Sequence, residues 1–301
     1  MNGKISNRDQ VISAYELTFD QGIACGKKVI LVHNGGLELM ISKTNALDIL
    51  YLKYNGKNVS FLSKNGINEN KGDFLNCFEG GFLYTCGMDA FSTCVPNKPM
   101  HGSLHKTNAD NVNINIDDDK VVITGVVKET ALFGKNLKLY RKFTITENSV
   151  LINDVMVNEA FTDGDYAMLY HVNFGYPFLD ESLEIKMNLI DCEGCSDYAE
   201  QHKSEHLNIT ESVDGGLEQC FYCYSNDGKI SLVNPEVNIR CEMNYDMDTL
   251  PYLVEWKSMV SGDYALGIEP CTTRFKDFKL TPIKAGEKKE FNVSLKFNDV
   301  K

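Results

Sequence analysis

The chain is short of basic charge and has a single tryptophan. Its 30 lysines and arginines stand against 42 aspartates and glutamates, a net charge of −12. Phosphate backbones are held by clustered Lys and Arg, so this deficit excludes nucleic acid as an expected partner. No apolar run approaches the roughly 18 residues of a membrane-spanning helix, and no membrane partner is expected. The first residues, Met1 to Arg8, contain no apolar signal-peptide core, which leads us to expect a cytoplasmic protein. Glycine-rich phosphate cradles are missing: there is no P-loop, no GxGxxG after a strand and no serine nucleophile elbow. No segment of twelve or more residues keeps a helical period. The ten cysteines are dispersed, unlike a compact disulfide framework, and fit buried thiols in a reducing compartment.

What is present is a series of short strands. At 301 residues the length alone is compatible with two domains of roughly 150 residues each, but all-β domains often run longer. Val29–Val32, Leu37–Ser42, Ile49–Tyr54 and Val59–Leu62 are separated by Asn34-Gly35-Gly36, Asn55-Gly56 and Asn65-Gly66. Asn-Gly between apolar runs is a hairpin signal because both residues tolerate positive φ. Ile12 to Leu17 reads equally as a leading strand or a short helix. Period-two patterning is clearest from Val112 to Val157, where Leu137, Leu139, Phe143 and Ile145 share a face interrupted by Arg141. Further strands are expected at 166–174, 183–189, 218–224, 229–233, 237–243, 253–256, 264–269, 278–282 and 290–296. Asn226-Asp227-Gly228 and Ser261-Gly262-Asp263 are turn signals between them. With no linker, repeat or low-complexity tract, the expectation is one all-β domain over 1–301, a β-sandwich or barrel.

Two strands and one loop carry groups with chemistry. In 166–174 alternate side chains share a face: Ala167, Leu169, His171 and Asn173 on one, Met168, Tyr170, Val172 and Phe174 on the other. The second set suits a core. The first places His171 and Asn173 on a candidate pocket floor, although a hydrogen-bonded structural histidine fits the same pattern. Glu269 repeats the arrangement, following Ala265 and Gly267 on its own face with room for a ligand in front. Pro270 is expected to end that strand and leave Glu269 at a rim, where an ordinary edge glutamate is the alternative. The irregular stretch 87–110 holds Pro96, Pro99, His101 and His105; long loops in compact domains are often functional. His101-Gly102-Ser103-Leu104-His105 has zinc-helix spacing but lacks the glutamate, and Gly102 weakens a helix. A loop histidine aimed into a pocket is the better reading.

The cysteines form two CxxC pairs, Cys192/Cys195 and Cys220/Cys223, at zinc-ribbon separation. The second lies in a strand-like aromatic run, where positions i and i+3 point to opposite faces. No turn residue brings those sulfurs together, so we expect buried thiols and no metal. Trp256 either stacks on a sugar face or packs in the core.

Four stretches, in order from about residue 35 onward, resemble the aldose 1-epimerase (galactose mutarotase-like) superfamily, and especially its branch of unknown specificity. They are Gly80-Gly81 through Thr85-Cys86-Gly87-Met88-Asp89, Met100-His101-Gly102, Leu169 through Pro177, and Leu250 through Lys257 running on to Gly267-Ile268-Glu269-Pro270. The resemblance implies a large antiparallel β-supersandwich and an enzyme that interconverts the anomers of an aldose. It implies Glu269 as base, His171 as acid and His101 assisting, with no metal or cofactor. Asn173, Asp89, His105, Trp256, Lys257 and Arg274 are the expected sugar contacts. Three arginines of that branch are replaced here, within Thr44–Asp48, at Ser103 and at Asn76, which favours a neutral sugar; Arg274 is the expected partial substitute. Non-catalytic sugar binding, or another isomerase or lyase on the same fold, are the alternatives. The oligomeric state is left open.

Overall fold

The computed structural model describes residues 3–91 and 98–301; Pro96 of the expected irregular segment lies outside them. Among the described residues the regular structure is mainly antiparallel strands, with short helical turns between them. The first five, Ile12–Thr18, Lys28–Asn34, Leu37–Ser42, Ile49–Tyr54 and Lys57–Asn58, form a meandering sheet in sequence order. The undecided N-terminal segment is thus a strand. Val59–Leu62 is not: its residues make isolated bridges, Ser60 to Phe174 and Leu62 to Gly80.

The other thirteen strands of the described residues belong to a second, larger sheet. The stretch from Asp110 to Asn158 makes four of them, and Val121–Thr130 and Ser149–Asn158 show the two-residue burial alternation of half-buried strands. One core cluster joins the sheets, with Ile30, Leu39 and Leu52 of the smaller packed in the same group as Ile123, Phe143, Ile152 and Phe291 of the larger. No helix among the described residues is long and apolar enough to cross a membrane.

Two elements differ from the pattern expected from sequence. Residues 218–224 and 229–233 belong to one strand, Gln219–Asn234. The Asn226-Asp227-Gly228 signal does not reverse the chain. Ser225 Oγ accepts from the backbone of Asp227 and Gly228, making a local irregularity inside the strand, and the pairing with Glu184–Gly194 shifts register there. The strand bearing Glu269 does not stop at Pro270 either: it runs from Asp263 to Cys271, with Pro270 opposite Leu253. Glu269 is therefore interior, at 2% exposure, and not at a rim.

The one anomaly on the apolar face of the Asn136–Ile145 strand is a buried ion network. Arg141 contacts Asp154 through Nε and Nη2, at 3.0 and 2.7 Å, and donates to Asp48 through Nη1 at 2.9 Å. Tyr170 and Thr85 complete it, donating to Asp154 and Asp48.

Candidate active site

Strand register assembles the site. The His171 strand (Gly164–Phe174) lies between the Leu83–Met88 strand and the Glu269 strand. Pairing of Leu169 with Cys271 and Val172 with Ile268 sets His171 across from Glu269. On the far sides His171 faces Tyr84, Glu269 faces Val254 and Val254 faces Tyr222. A row of side chains from five strands thus runs Tyr84, His171, Glu269, Val254, Tyr222. The neighbouring row carries Asn173, Gly267, Trp256 and Cys220.

His171 Nε2 stands 3.1 Å from Glu269 Oε1. The contact is off the line of a hydrogen bond, and among the described residues neither His171 Nδ1 nor Glu269 Oε1 has a hydrogen-bond partner. Gly267 makes the pair possible. A Cβ there would fall 2.5 Å from Glu269 Oε1 and 3.0 Å from His171 Cε1, so the small residue on the glutamate's own face provides the space the two side chains occupy.

Burial sets the electrostatics. It pushes Glu269 well above the usual carboxylate range, aided by Cys195 and Glu218 nearby. It pushes His171 well below the usual imidazole range, with the neighbouring His101 charge acting in the same direction. His101 itself is pushed down to about 4 by burial and then by His105. Burial thus favours the neutral form of all three groups.

The pair forms part of the floor of a cavity of about 1430 Å³, whose walls include Phe61, Phe78, His101, Tyr222 and Trp256. The His101 ring lies 5.8 Å from the His171 ring, and Trp256 lies 5.5 Å from it on another side. His101 has φ +64° and its Nδ1 is 3.4 Å from Cys86 Sγ. The following Gly102 is required, since a Cβ would come within 2.5 Å of the Ala90 and Gly87 carbonyls at φ +79°. Trp256 is fixed by its indole N–H, which donates to Glu218 at 2.8 Å. The wall bearing Phe74 and Phe78 is anchored from behind by fully buried Lys27, which donates to Glu79, Asn45 and the Asn68 carbonyl.

Of the expected site residues, the structure brings Glu269, His171, His101 and Trp256 to this cavity and places five outside its lining. Asn173 shares the His171 face but is fully buried, and its amide donates to the Gly81 and His171 carbonyls. Its polarity serves the backbone. His105 is stacked on Tyr84 at 3.7 Å and bonded to Asp48 and Asn45, behind the floor. Asp89 is buried and paired with Lys98 at 2.7 Å. Lys257 follows Trp256 and so faces the opposite side of the sheet, where Nζ donates to the Glu205, His206 and Asn208 carbonyls. Arg274 binds Asp277, Glu193 and Tyr224 at the cavity's edge, next to the lining residues Phe275 and Lys276. Tyr222, Phe74 and Phe78 line the site and are absent from the expected set. None of the three had a local signal: Tyr222 reaches the site through the register that sets it across from Val254.

A family profile described as "Domain of unknown function (DUF4432)" matches residues 24–296. No curated protein matches the chain. Among solved structures, a proposed aldose 1-epimerase from Klebsiella pneumoniae is similar at 20% identity and TM-score 0.86, covering 96% of this chain and 88% of that one. A galactose mutarotase-like protein from Clostridium acetobutylicum is similar at 16% identity and TM-score 0.74, covering 97% and 100%. The galactose 1-epimerase of Lactobacillus acidophilus follows at 14% and 0.67, covering 96% and 99%. At these identities the likeness concerns the fold, which is galactose mutarotase-like.

Proposed function

The chain belongs to the DUF4432 family of domains of unknown function, and from its site we propose that it is a mutarotase acting on a neutral aldose. The observation that carries this reading is the His171–Glu269 contact of 3.1 Å at the floor of an aromatic-walled cavity with ample room for a sugar. Mutarotation needs one base and one acid. The base takes the proton from O1 as the C1–O5 bond breaks and C1 becomes a carbonyl; the acid delivers a proton to O5. Rotation about C1–C2 and the reverse transfers close the ring on the other face. One proton shared between His171 and Glu269 suffices. Whichever member holds it begins as the acid, with Glu269 as base in the charged arrangement that the resemblance implies. Placing such groups correctly is worth about 10²–10⁴-fold. His101, beside His171, assists by hydrogen bonding to the sugar, and Trp256 offers a ring face.

The test is anomer interconversion of freshly dissolved α-sugars, followed by polarimetry or saturation-transfer NMR. No acceleration over buffer across a broad panel of neutral aldoses would reject the reading. The aromatic walls would equally suit carbohydrate binding without turnover, and binding without acceleration would establish that alternative.

The pH profile gives a sharper signature. Activity requires the pair to hold a single proton. His171 is pushed below its usual range and Glu269 above its own, so kcat/KM is expected to be flat through pH 6.5. The acid limb falls below that value as the imidazole gains a second proton. The alkaline limb lies above the carboxylate range, where Glu269 loses the shared one. A rate that rises with an ordinary imidazole pKa near 6.5 would show that His171 does not work in this buried pair.

Gly267→Ala provides a geometric check. The added methyl displaces Glu269, His171 or both, and a misplacement of about 1 Å costs on the order of 10²-fold. Measured kcat should fall by about that factor, and an unchanged kcat would separate the pair from the chemistry.

A further inference from the structure

The cysteines take an arrangement that their spacing along the chain conceals. Cys220 and Cys223 do point to opposite faces of their strand: Cys220 lines the cavity, while Cys223 is buried in the main core. The antiparallel register then pairs the cysteines across strands. Cys192 stands directly opposite Cys223, with the sulfurs 3.8 Å apart. Cys195, on the cavity side, is joined to Cys220 through its backbone at 2.8 Å. Each CxxC is thus divided between the two faces of the sheet.

Further donors converge on the Cys192–Cys223 pair. His206 follows the short turn Lys203–Glu205, and the candidate ligand atoms of Cys192, Cys223 and His206 all lie within 4.8 Å of one another. Glu255 sits on the Trp256 strand but faces away from the sugar cavity. It is fully buried, and its Oε2 lies 2.6 Å from His206 Nδ1 and 3.8 Å from Cys223 Sγ. Its other oxygen, Oε1, has no hydrogen-bond partner among the described residues. The three carbonyl bonds from Lys257 clamp the 205–208 segment that carries His206.

We infer that Cys192, Cys223 and His206 bind one thiolate-preferring divalent ion of the zinc class, with Glu255 orienting the imidazole. Zinc–sulfur bonds of about 2.3 Å in a tetrahedron set two sulfurs roughly 3.8 Å apart, which is the separation seen. A carboxylate holding a ligating histidine is the usual outer support of such an ion. Two thiolates select against calcium and magnesium. A disulfide would account for the sulfurs alone and would leave the clamped imidazole and the buried carboxylate without a purpose. A depression of about 580 Å³ lined by Cys192, His206, Glu200 and Lys203 gives an entry path. The ion would tie together the Cys192 strand, the Cys223 strand and the 203–208 segment. Between these run Cys195, Ser196 and Asp197, which wall the sugar cavity. The site stands apart from the acid–base pair and does not depend on the proposed activity.

Cobalt(II) titration of the reduced, chelator-treated full chain tests this. One equivalent should bind, giving thiolate-to-cobalt charge-transfer absorption and the intense visible bands of a tetrahedral site, and one equivalent of zinc should displace it. Cys192→Ser and Cys223→Ser should each weaken or abolish the charge-transfer band, and the double variant should lack it. Cys25→Ser, at an exposed thiol, should leave it unchanged. Glu255→Gln should keep the absorption and lower zinc affinity by about 10–100-fold. Should the cysteine variants fail to fold, His206→Asn, at a half-buried position, must lose tight binding while native circular dichroism is retained. Absence of the band in the unaltered chain overturns the inference. So does its persistence in the double variant, or a Cys192–Cys223 disulfide in protein purified with reductant.

Discussion

Glu269→Gln is expected to slow anomer interconversion by about 10²–10⁴-fold while leaving the protein folded and, at neutral pH, more stable. Glutamine fills the same volume, and the side chain is only 2% exposed, so packing is preserved. What disappears is the ability to take or give a proton opposite His171. The stability gain follows from linkage. Burial, then Cys195 and Glu218, raise the folded-state pKa of Glu269. Above the ordinary carboxylate pKa the native state therefore holds a proton that the unfolded chain has released. Stability associated with this group is full below that value and is lost as pH rises toward the folded pKa. The glutamine variant carries no such loss. Its advantage over the parent should be absent at the acid end and grow with pH, as read from urea unfolding midpoints at several pH values alongside polarimetry. Two results would count against the assignment: a retained rate, or a stability difference independent of pH.

Period two made much of this site legible. It separates His171 from Tyr170 and Val172 without knowledge of the neighbours, and the small residues Ala265 and Gly267 identify the face on which Glu269 has space. The same rule, applied to Tyr252–Val260, puts Lys257 opposite Trp256, so its place on the other side of the sheet was readable from the strand itself. Asn173 and His105 were different. A polar residue on a functional face is indistinguishable in sequence from one that satisfies a buried carbonyl or an ion pair, because its partner comes from a distant segment. His105 finds Asp48 across 57 positions and Asn173 finds Gly81 across 92. The cross-strand cysteine pairs required the register of two strands, which the bulged Gln219–Asn234 strand hides behind an apparent turn. The fold class needed none of this, since many short strands without helical periods constrain it directly. The segment Thr44–Asp48, where an arginine was expected, instead supplies Asn45 to Lys27 and Asp48 to Arg141. Its basic partners arrive from elsewhere in the chain.

Arg141→Leu is expected to destabilise the protein by about 3–5 kcal/mol, the range for removing one partner of a buried ion pair. Arg141 is 1% exposed, and Asp48 and Asp154 are as enclosed. A leucine would fill the space but leave two carboxylates without their shared guanidinium. Burial alone pushes Asp48 up; the His105 hydrogen bond and the Arg141 charge more than offset it and hold the carboxyl below its usual range. Stability from Asp48 is thus present above the ordinary carboxylate pKa and lost as pH falls through the lowered one. Without Arg141 that loss should begin at higher pH, which acid unfolding followed by circular dichroism would read. The alternative cause of destabilisation, lost packing, predicts otherwise for the triple variant Arg141→Leu, Asp48→Asn, Asp154→Asn. If stranded charge dominates, neutralising both acids recovers much of the loss, whereas a packing defect persists. A single-variant change below about 1 kcal/mol would mean that water reaches the network. The consequence extends to the candidate active-site cavity. Arg141 Nη2 donates to Thr85 at 3.0 Å, and Asp154 accepts from Tyr170 at 2.7 Å. Thr85 and Tyr170 are paired neighbours of Tyr84 and His171 in the two adjoining strands. The network therefore pins, from the core side, the two strands that present His171 from the other, and Arg141→Leu should lower kcat even where the protein remains folded.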